Sequence, residues 1–349
     1  MAGFPDIGLP CYNTAMKAIH MTGTGPAAEV LRLVEVPEPE ITTATRIKVA
    51  LRAAGVNPVD TKLRSRGLFY PDALPAILGC DGAGIVTAVG SEVRRFQPGD
   101  AVWFCHGGLG GAPGNYAQFT VLEESEAELK PPSLGFTDAA ALPLVLITAW
   151  EALYDRARLV QDQTVLIHAG AGGVGHVAIQ LAKARGARVA ATISTPGKAE
   201  FVARLGADHV IPYRERDFVA AVLDWTGGRG VDVVLDSLGG DTFQRSLDAA
   251  CIYGHVVTLL DPGGGIDWST ARTRNLSISF TLMLTPLLQD LPQARAHQGD
   301  ILRRCAALVE DGRLKPQVST VLPLADAAKA HQRIEAGHVQ GKIVLDMQL

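Results

Sequence analysis

No stretch of this 349-residue chain reaches the roughly 18 consecutive apolar residues of a membrane span, so no membrane-crossing role is expected. The first residues lack a basic segment followed by an apolar one, and no secretory leader is expected. Cysteine is scarce: five residues, at positions 11, 80, 105, 251 and 305, none of them in a C-x-x-C pair. That scatter excludes a disulfide framework and fits free thiols in a reducing compartment, so a cytoplasmic location is expected. Basic charge is also missing. The formal net charge is −4, which gives no global field for nucleic acid or an anionic membrane. No internal repeat and no low-complexity tract is present. What remains is 47% hydrophobic and 19% charged residues, a composition suited to a large buried core. The length points to about two domains.

The most informative segment is Val165-Leu-Ile-His-Ala-Gly-Ala-Gly-Gly-Val-Gly175, followed by His176-Val-Ala-Ile-Gln-Leu-Ala-Lys183. A short apolar run reads as a buried parallel strand. Glycines at 170, 172 and 175 follow in a G-x-G-x-x-G pattern, and a helical periodicity comes next. Strand, tight turn and helix N-terminus stand in the order a dinucleotide needs. Gly170, Ala171, Gly172, Gly173, Val174 and Gly175 are therefore the expected pyrophosphate cradle. The motif alone is weak, but its context is right on both sides.

The chain divides into three parts. Residues 1–15 contain Gly3, Pro5 and Gly8 and read as a loose arm. From Met16 to about Leu142, short strand-like runs such as Leu31–Val36, Arg46–Ala53 and Gly84–Val89 are punctuated by Gly and Pro, which predicts a small barrel. From Pro143 to about 285, strands alternate with helices, which predicts a parallel, doubly wound sheet. Residues 286–349 hold two more helix–strand pairs, a helix around Asp300–Glu310 with a strand around Val318–Leu322 and a helix around Ala325–Ala336 with the last strand Lys342–Asp346, and are expected to rejoin the barrel.

The second strand of the alternating region ends at Ala191-Thr-Ile-Ser194. An NAD enzyme places Asp or Glu there for the ribose hydroxyls. Here no carboxylate occurs between Gly175 and Glu200. Ser194, Lys198 and Tyr213 stand there instead, and a hydroxyl, an ammonium and a phenol suit the extra phosphate of NADPH. The alternatives are a solvated helix lysine and a tyrosine packed beside the sheet. Ser237, just past the strand Val231–Asp236, lies at the sheet's carboxyl edge and is expected to border the nicotinamide.

Taken in order, several motifs together resemble one family: Ala54-Gly-Val-Asn-Pro-Val-Asp60, Leu78-Gly-Cys-Asp-Gly-Ala-Gly-Ile-Val86, the glycine turn, Leu205-Gly-Ala-Asp208, Asp232-Val-Val-Leu-Asp236 and Gly341-Lys-Ile-Val-Leu345. The chain resembles, from about Met16 to its end, the zinc-independent quinone oxidoreductases related to zeta-crystallin, within the medium-chain dehydrogenase/reductase superfamily. The resemblance implies an α/β fold, a Rossmann doubly wound parallel sheet plus a GroES-like β-barrel catalytic domain, with a cleft between them. It implies domains at 1–142, 143–285 and a returning 286–349. It also implies a homodimer through the last Rossmann strand, Ser277–Leu284.

The resemblance bears on metal as well. Zinc-dependent relatives hold catalytic zinc with Cys, His and a second Cys or carboxylate. Those positions fall on Asn57, Cys80 and near Leu144, and one thiolate holds no zinc. No metal is therefore expected. Without a Lewis acid, alcohol oxidation is disfavoured, and reduction of an electron-poor acceptor is the expected chemistry: hydride from NADPH to a quinone or similar conjugated carbonyl. Tyr70 is the candidate proton donor, because related enoyl reductases carry a Tyr in a similar Tyr-Pro context. Asn57 and Asp60 are expected to orient cofactor or substrate by hydrogen bonds. For Asn57 the alternative is a turn residue, for Asp60 a helix cap. Two other readings stay open at this point: an enoyl or alkenal double-bond reductase, and a non-catalytic NADPH-binding or RNA-binding crystallin-like protein, although no nucleic-acid partner is expected.

Overall fold

The computed structural model describes residues 15–349, so most of the arm expected at 1–15 lies outside the described residues. Two bodies are built on the two expected patterns. The first is a six-stranded sheet, ordered His209–Pro212, Arg188–Ile193, Thr164–Ile167, Val231–Asp236, Ala250–Thr258 and Ser277–Phe280. Every neighbouring pair in it is parallel. Its central strands are buried on both faces and read as plain apolar runs, Thr-Val-Leu-Ile being wholly buried. The chain winds outward from Thr164–Ile167 to His209–Pro212, then crosses to Val231–Asp236 on the other side. The carboxyl ends of Thr164–Ile167 and Val231–Asp236 therefore flank the point where the winding reverses, which is where open α/β sheets bind ligands.

The second body is the β-rich part. Seven strands form one sheet around Arg46–Val56 and Asp81–Val89, and Ala15–Met21 anchors a smaller three-stranded sheet. The final strand, Lys342–Asp346, pairs antiparallel with Arg46–Val56, Ile343 opposite Val56. That pairing sets the start of the last strand beside Asn57 and the first helix that follows it, Pro58–Arg66.

One helix has no expected counterpart and another is longer than expected. Pro143–Trp150 carries no amphipathic period because seven of its eight residues are buried. The helix expected around 300–310 begins at Pro292, with proline in its first turn. The strand expected at Ser277–Leu284 ends at Phe280, and Met283 and Leu284 turn inward as buried residues.

Candidate active site

The glycine turn is built as the sequence implies. Helix Gly173–Ala184 starts from Gly172, with no side chain capping its first N–H groups. A helix start with such free donors is suited to an anion. Gly175 permits the close contact of helix and turn: a Cβ there would sit 2.2 Å from the Ala169 carbonyl oxygen. Gly170 lies below the turn, where a Cβ would meet that of Ala191 at 2.9 Å. Ala171 is buried, and its carbonyl accepts the Gly341 N–H at 2.9 Å. Ala169 holds a φ of 50°, an infrequent conformation for a residue with a Cβ, and turns its face to the cleft.

The cleft between the two bodies has a volume of about 690 Å³. Gly172–Gly175, Ser237 and Leu238 form its sheet-side wall, and Asn57 with helix Pro58–Arg66 forms the facing wall. Leu282, Met283 and Leu284 complete it on the apolar side. Among the described residues no Asp or Glu lines it; its ionisable lining is Lys62, Arg66, His338 and Lys342.

Below the cleft floor runs a buried polar cluster. The Asn57 amide donates to Asp81 Oδ2 at 2.8 Å, and its Oδ1 accepts from the Lys342 ammonium. Lys342 Nζ also stands 3.4 Å from Asp81 Oδ2, with the Lys side chain 3% and the Asp side chain 0% exposed. The Leu144 N–H donates to Asp81 Oδ1 at 2.7 Å. Burial pushes the Asp81 carboxyl up, and the Lys342 charge is the strongest influence pulling it back. The same lysine touches the glycine turn: a Cβ on Gly173 would lie 3.3 Å from its Cδ.

Of the expected catalytic residues, only Asn57 lines the cleft. Asp60 is fully buried and turned away from it. Asp60 Oδ2 accepts the Asn57 N–H at 2.8 Å and the Tyr116 hydroxyl at 2.9 Å, making a capping box for helix Pro58–Arg66. Burial lifts its carboxyl to about 7. Tyr70 stands beside the cleft, half-exposed, its hydroxyl donating to the Leu288 carbonyl at 3.3 Å. Its neighbour Phe69 lines the cleft. Ser237 also lines it, 3.4 Å from the His168 carbonyl. His168 is held by Thr192 and Ser246 at 3.2 and 3.0 Å, and burial lowers it to about 4, so it is a neutral internal residue.

Ser194, Lys198 and Tyr213 lie outside that volume; Ser194 and Tyr213 follow two neighbouring strands, and Lys198 ends the short turn Pro196–Lys198 after the first. Ile193 is opposite Pro212, and the Tyr213 N–H donates to the Ile193 carbonyl at 3.1 Å. Lys198 is pulled down by partial burial and by the charge of Arg214. Sequence reasoning passed over Arg214; the signal was its place directly after Tyr213. It also passed over Lys342 and Asp81 as working residues, because only strand pairing brings them to Asn57.

Comparison with known proteins agrees with this architecture. Residues 43–132 match the family described as alcohol dehydrogenase GroES-like domain, and residues 205–345 match the one described as zinc-binding dehydrogenase. Quinone oxidoreductase 1 of Escherichia coli K12 is 35% identical over 319 residues, 91% of this chain and 95% of that protein. An alcohol dehydrogenase superfamily protein from Novosphingobium aromaticivorans superposes with a TM-score of 0.88 at 37% identity, covering 95% of this chain and 99% of that one. The Escherichia coli quinone oxidoreductase complexed with NADPH superposes with a TM-score of 0.83 at 34% identity, covering 95% and 99%. The zinc named in one family description does not fit the donors present. Among the described residues no three His, Cys, Asp or Glu side chains gather to hold a metal ion. Cys80 is a buried thiol, pushed up by its neighbour Cys105 and by burial, and Asp81, next to it in sequence, is turned to the Lys342 cation.

Proposed function

The chain belongs to the quinone oxidoreductase family of the medium-chain dehydrogenase/reductase superfamily, and on that premise we propose that it is a zinc-free, NADPH-dependent reductase of quinones or similar electron-poor conjugated carbonyls. The observation that carries the reading is the uncapped helix at Gly172–Gly175 opening onto a cleft that no acidic residue among the described ones lines. An anionic dinucleotide fits that cradle, and NADPH, when bound, supplies the hydride.

The chain's own residues do the rest. The free N–H groups of Gly173, Val174 and Gly175 bind the pyrophosphate, with the aliphatic stem of Lys342 beside Gly173. Ser194, Lys198, Tyr213 and Arg214 meet the 2′-phosphate end, supported by the Lys198 and Arg214 cations lying close enough to act on one another. Asn57 is held by Asp81 and Lys342 in the cleft wall and fixes the start of helix Pro58–Arg66 there. Asp60 acts through Asn57, fixing its backbone by the capping box. Ser237 borders the nicotinamide half. The apolar wall of Leu282, Met283 and Leu284 excludes water from the acceptor. Proton delivery by Tyr70 is part of the proposal and requires its hydroxyl to leave the Leu288 carbonyl.

The same reading takes residues 1–142 and 286–349 as the catalytic domain around a cofactor domain at 143–285. It also takes the protein as cytoplasmic; no helix of the described residues is long and apolar enough to cross a membrane. A homodimer is proposed through Ser277–Phe280, the edge strand, whose Phe280 is exposed. Consumption of NADPH measured side by side with a quinone and a simple enone tests the reading. Turnover of the quinone supports it, and binding of NADPH with no turnover of either opposes it.

A further inference from the structure

Helix Pro58–Arg66 presents Val59, Lys62 and Arg66 to the cleft, positions spaced as one helical face. Two cations four residues apart on one face repel each other. Among the described residues neither forms an ion pair or a side-chain hydrogen bond, whereas Arg64 of the same helix is paired with Glu335. A cation near a helix C-terminus is favoured by the helix dipole, which accounts for Arg66. It does not account for Lys62, which is mid-helix and half-buried, and whose ammonium is pulled down by burial and then by Arg66.

Cofactor phosphates do not account for the pair either. Asn57, at the helix start, is bonded to Lys342, which touches Gly173 of the cradle. At 1.5 Å per residue, Lys62 and Arg66 stand roughly 7 and 13 Å farther along the helix. The chain then runs into Gly67, Leu68 and Phe69, which also line the cleft, as does the apolar segment 282–284. Apart from these two cations, His338 and Lys342, the cleft lining is uncharged, and among the described residues no carboxylate lines it to balance them.

We propose that Lys62 and Arg66 form an anion-recognition pair at the acceptor end, selecting conjugated carbonyl compounds that carry a tethered oxyanion, a carboxylate or a phosphate. The apolar wall takes the conjugated part, and the ammonium and guanidinium take the anion. This rests on the reductase reading above.

The test compares three para-quinones with one ring and one alkyl tail, ending in a carboxylate, a phosphate or a methyl ester. The wild-type protein is expected to show kcat/KM about tenfold higher for an anionic tail than for the ester, with the preference shrinking as salt rises. The larger of the two anionic values identifies which oxyanion the pair fits. Lys62→Gln and Arg66→Gln are each expected to cut the anionic-to-ester ratio severalfold, and Lys62→Arg to keep it. A wild-type ratio near one, or a ratio unmoved by both substitutions, overturns the proposal. If no quinone is reduced, the reductase reading fails separately. The ratio of dissociation constants for the acid and the ester on the NADP⁺-loaded protein then decides the cation pair alone.

Discussion

Replacing Lys342 by methionine removes the one positive charge facing Asp81 and leaves that carboxylate buried. The side chains are 3% and 0% exposed, so water cannot substitute for the ammonium. Asp81 keeps two donors, the Asn57 amide at 2.8 Å and the Leu144 N–H at 2.7 Å, but no countercharge. Breaking a buried pair in this way costs about 3–5 kcal/mol. At roughly 2 °C per kcal/mol for a large domain, the melting temperature should fall by about 6–10 °C at pH 8. The sign of the pH dependence follows from burial, which already holds the Asp81 carboxyl above its ordinary value. Without Lys342 that native pKa climbs further. The penalty applies while Asp81 is ionised and disappears as it protonates, so the deficit should narrow from pH 8 toward pH 5. Adding Asp81→Asn to Lys342→Met should recover about half of the loss at pH 8. Thermal denaturation of the three proteins across that range checks this. A Lys342→Met protein melting within 2 °C of wild type at pH 8 would refute the reasoning, about 2 °C being the worth of one surface-scale interaction. So would a deficit indifferent to both pH and Asp81→Asn.

Other consequences are as direct. Lys198→Gln should raise the KM for NADPH about tenfold and leave that for NADH unchanged, the worth of one charge-assisted contact; equal effects on both cofactors would remove Lys198 from the 2′-phosphate site. Asp60, lifted from 3.8 to about 7, binds its proton more tightly in the native than in the unfolded chain. Stability it contributes is therefore present at low pH and lost as pH rises through about 7, up to about 4 kcal/mol. Asp60→Asn should flatten the pH dependence of denaturant midpoints between pH 5 and about 8, and an unchanged slope would contradict the assignment. Tyr70→Phe should lower kcat about a hundredfold with acceptor binding intact, the usual scale of a lost proton donor. A change under about threefold, well short of that scale, would show that the hydroxyl serves only its bond to Leu288.

The parts of the fold legible in the sequence are those set by local spacing. The turn at Gly170–Gly175 is announced by its glycines, because strand, close approach and helix start all fall within one short segment. The strands Val231–Asp236 and Lys342–Asp346 lie where their apolar runs place them. Helix Pro143–Trp150 was illegible for the opposite reason: a segment buried nearly all round has no polar face to reveal its period. The site was less legible than the fold. Asn57, Asp81 and Lys342 meet across separations of up to 285 residues, through antiparallel pairing that no local pattern encodes. The carboxylate of Asp60 has the spacing of a helix cap and also that of a cleft residue, and only the position of Tyr116 decides between them. Tyr70 lies next to a cleft residue in sequence, yet its hydroxyl is turned to Leu288. The cation pair on helix Pro58–Arg66 is visible as spacing, but its lack of partners is a property of the assembled walls.

The most direct test of the account is steady-state oxidation of NADPH by a small soluble para-quinone, using protein freed of metal by a chelator. The account predicts turnover as rapid as before chelation, with NADPH preferred to NADH. Loss of turnover on chelation and its return with zinc, or no turnover by folded protein that binds NADPH, would contradict it.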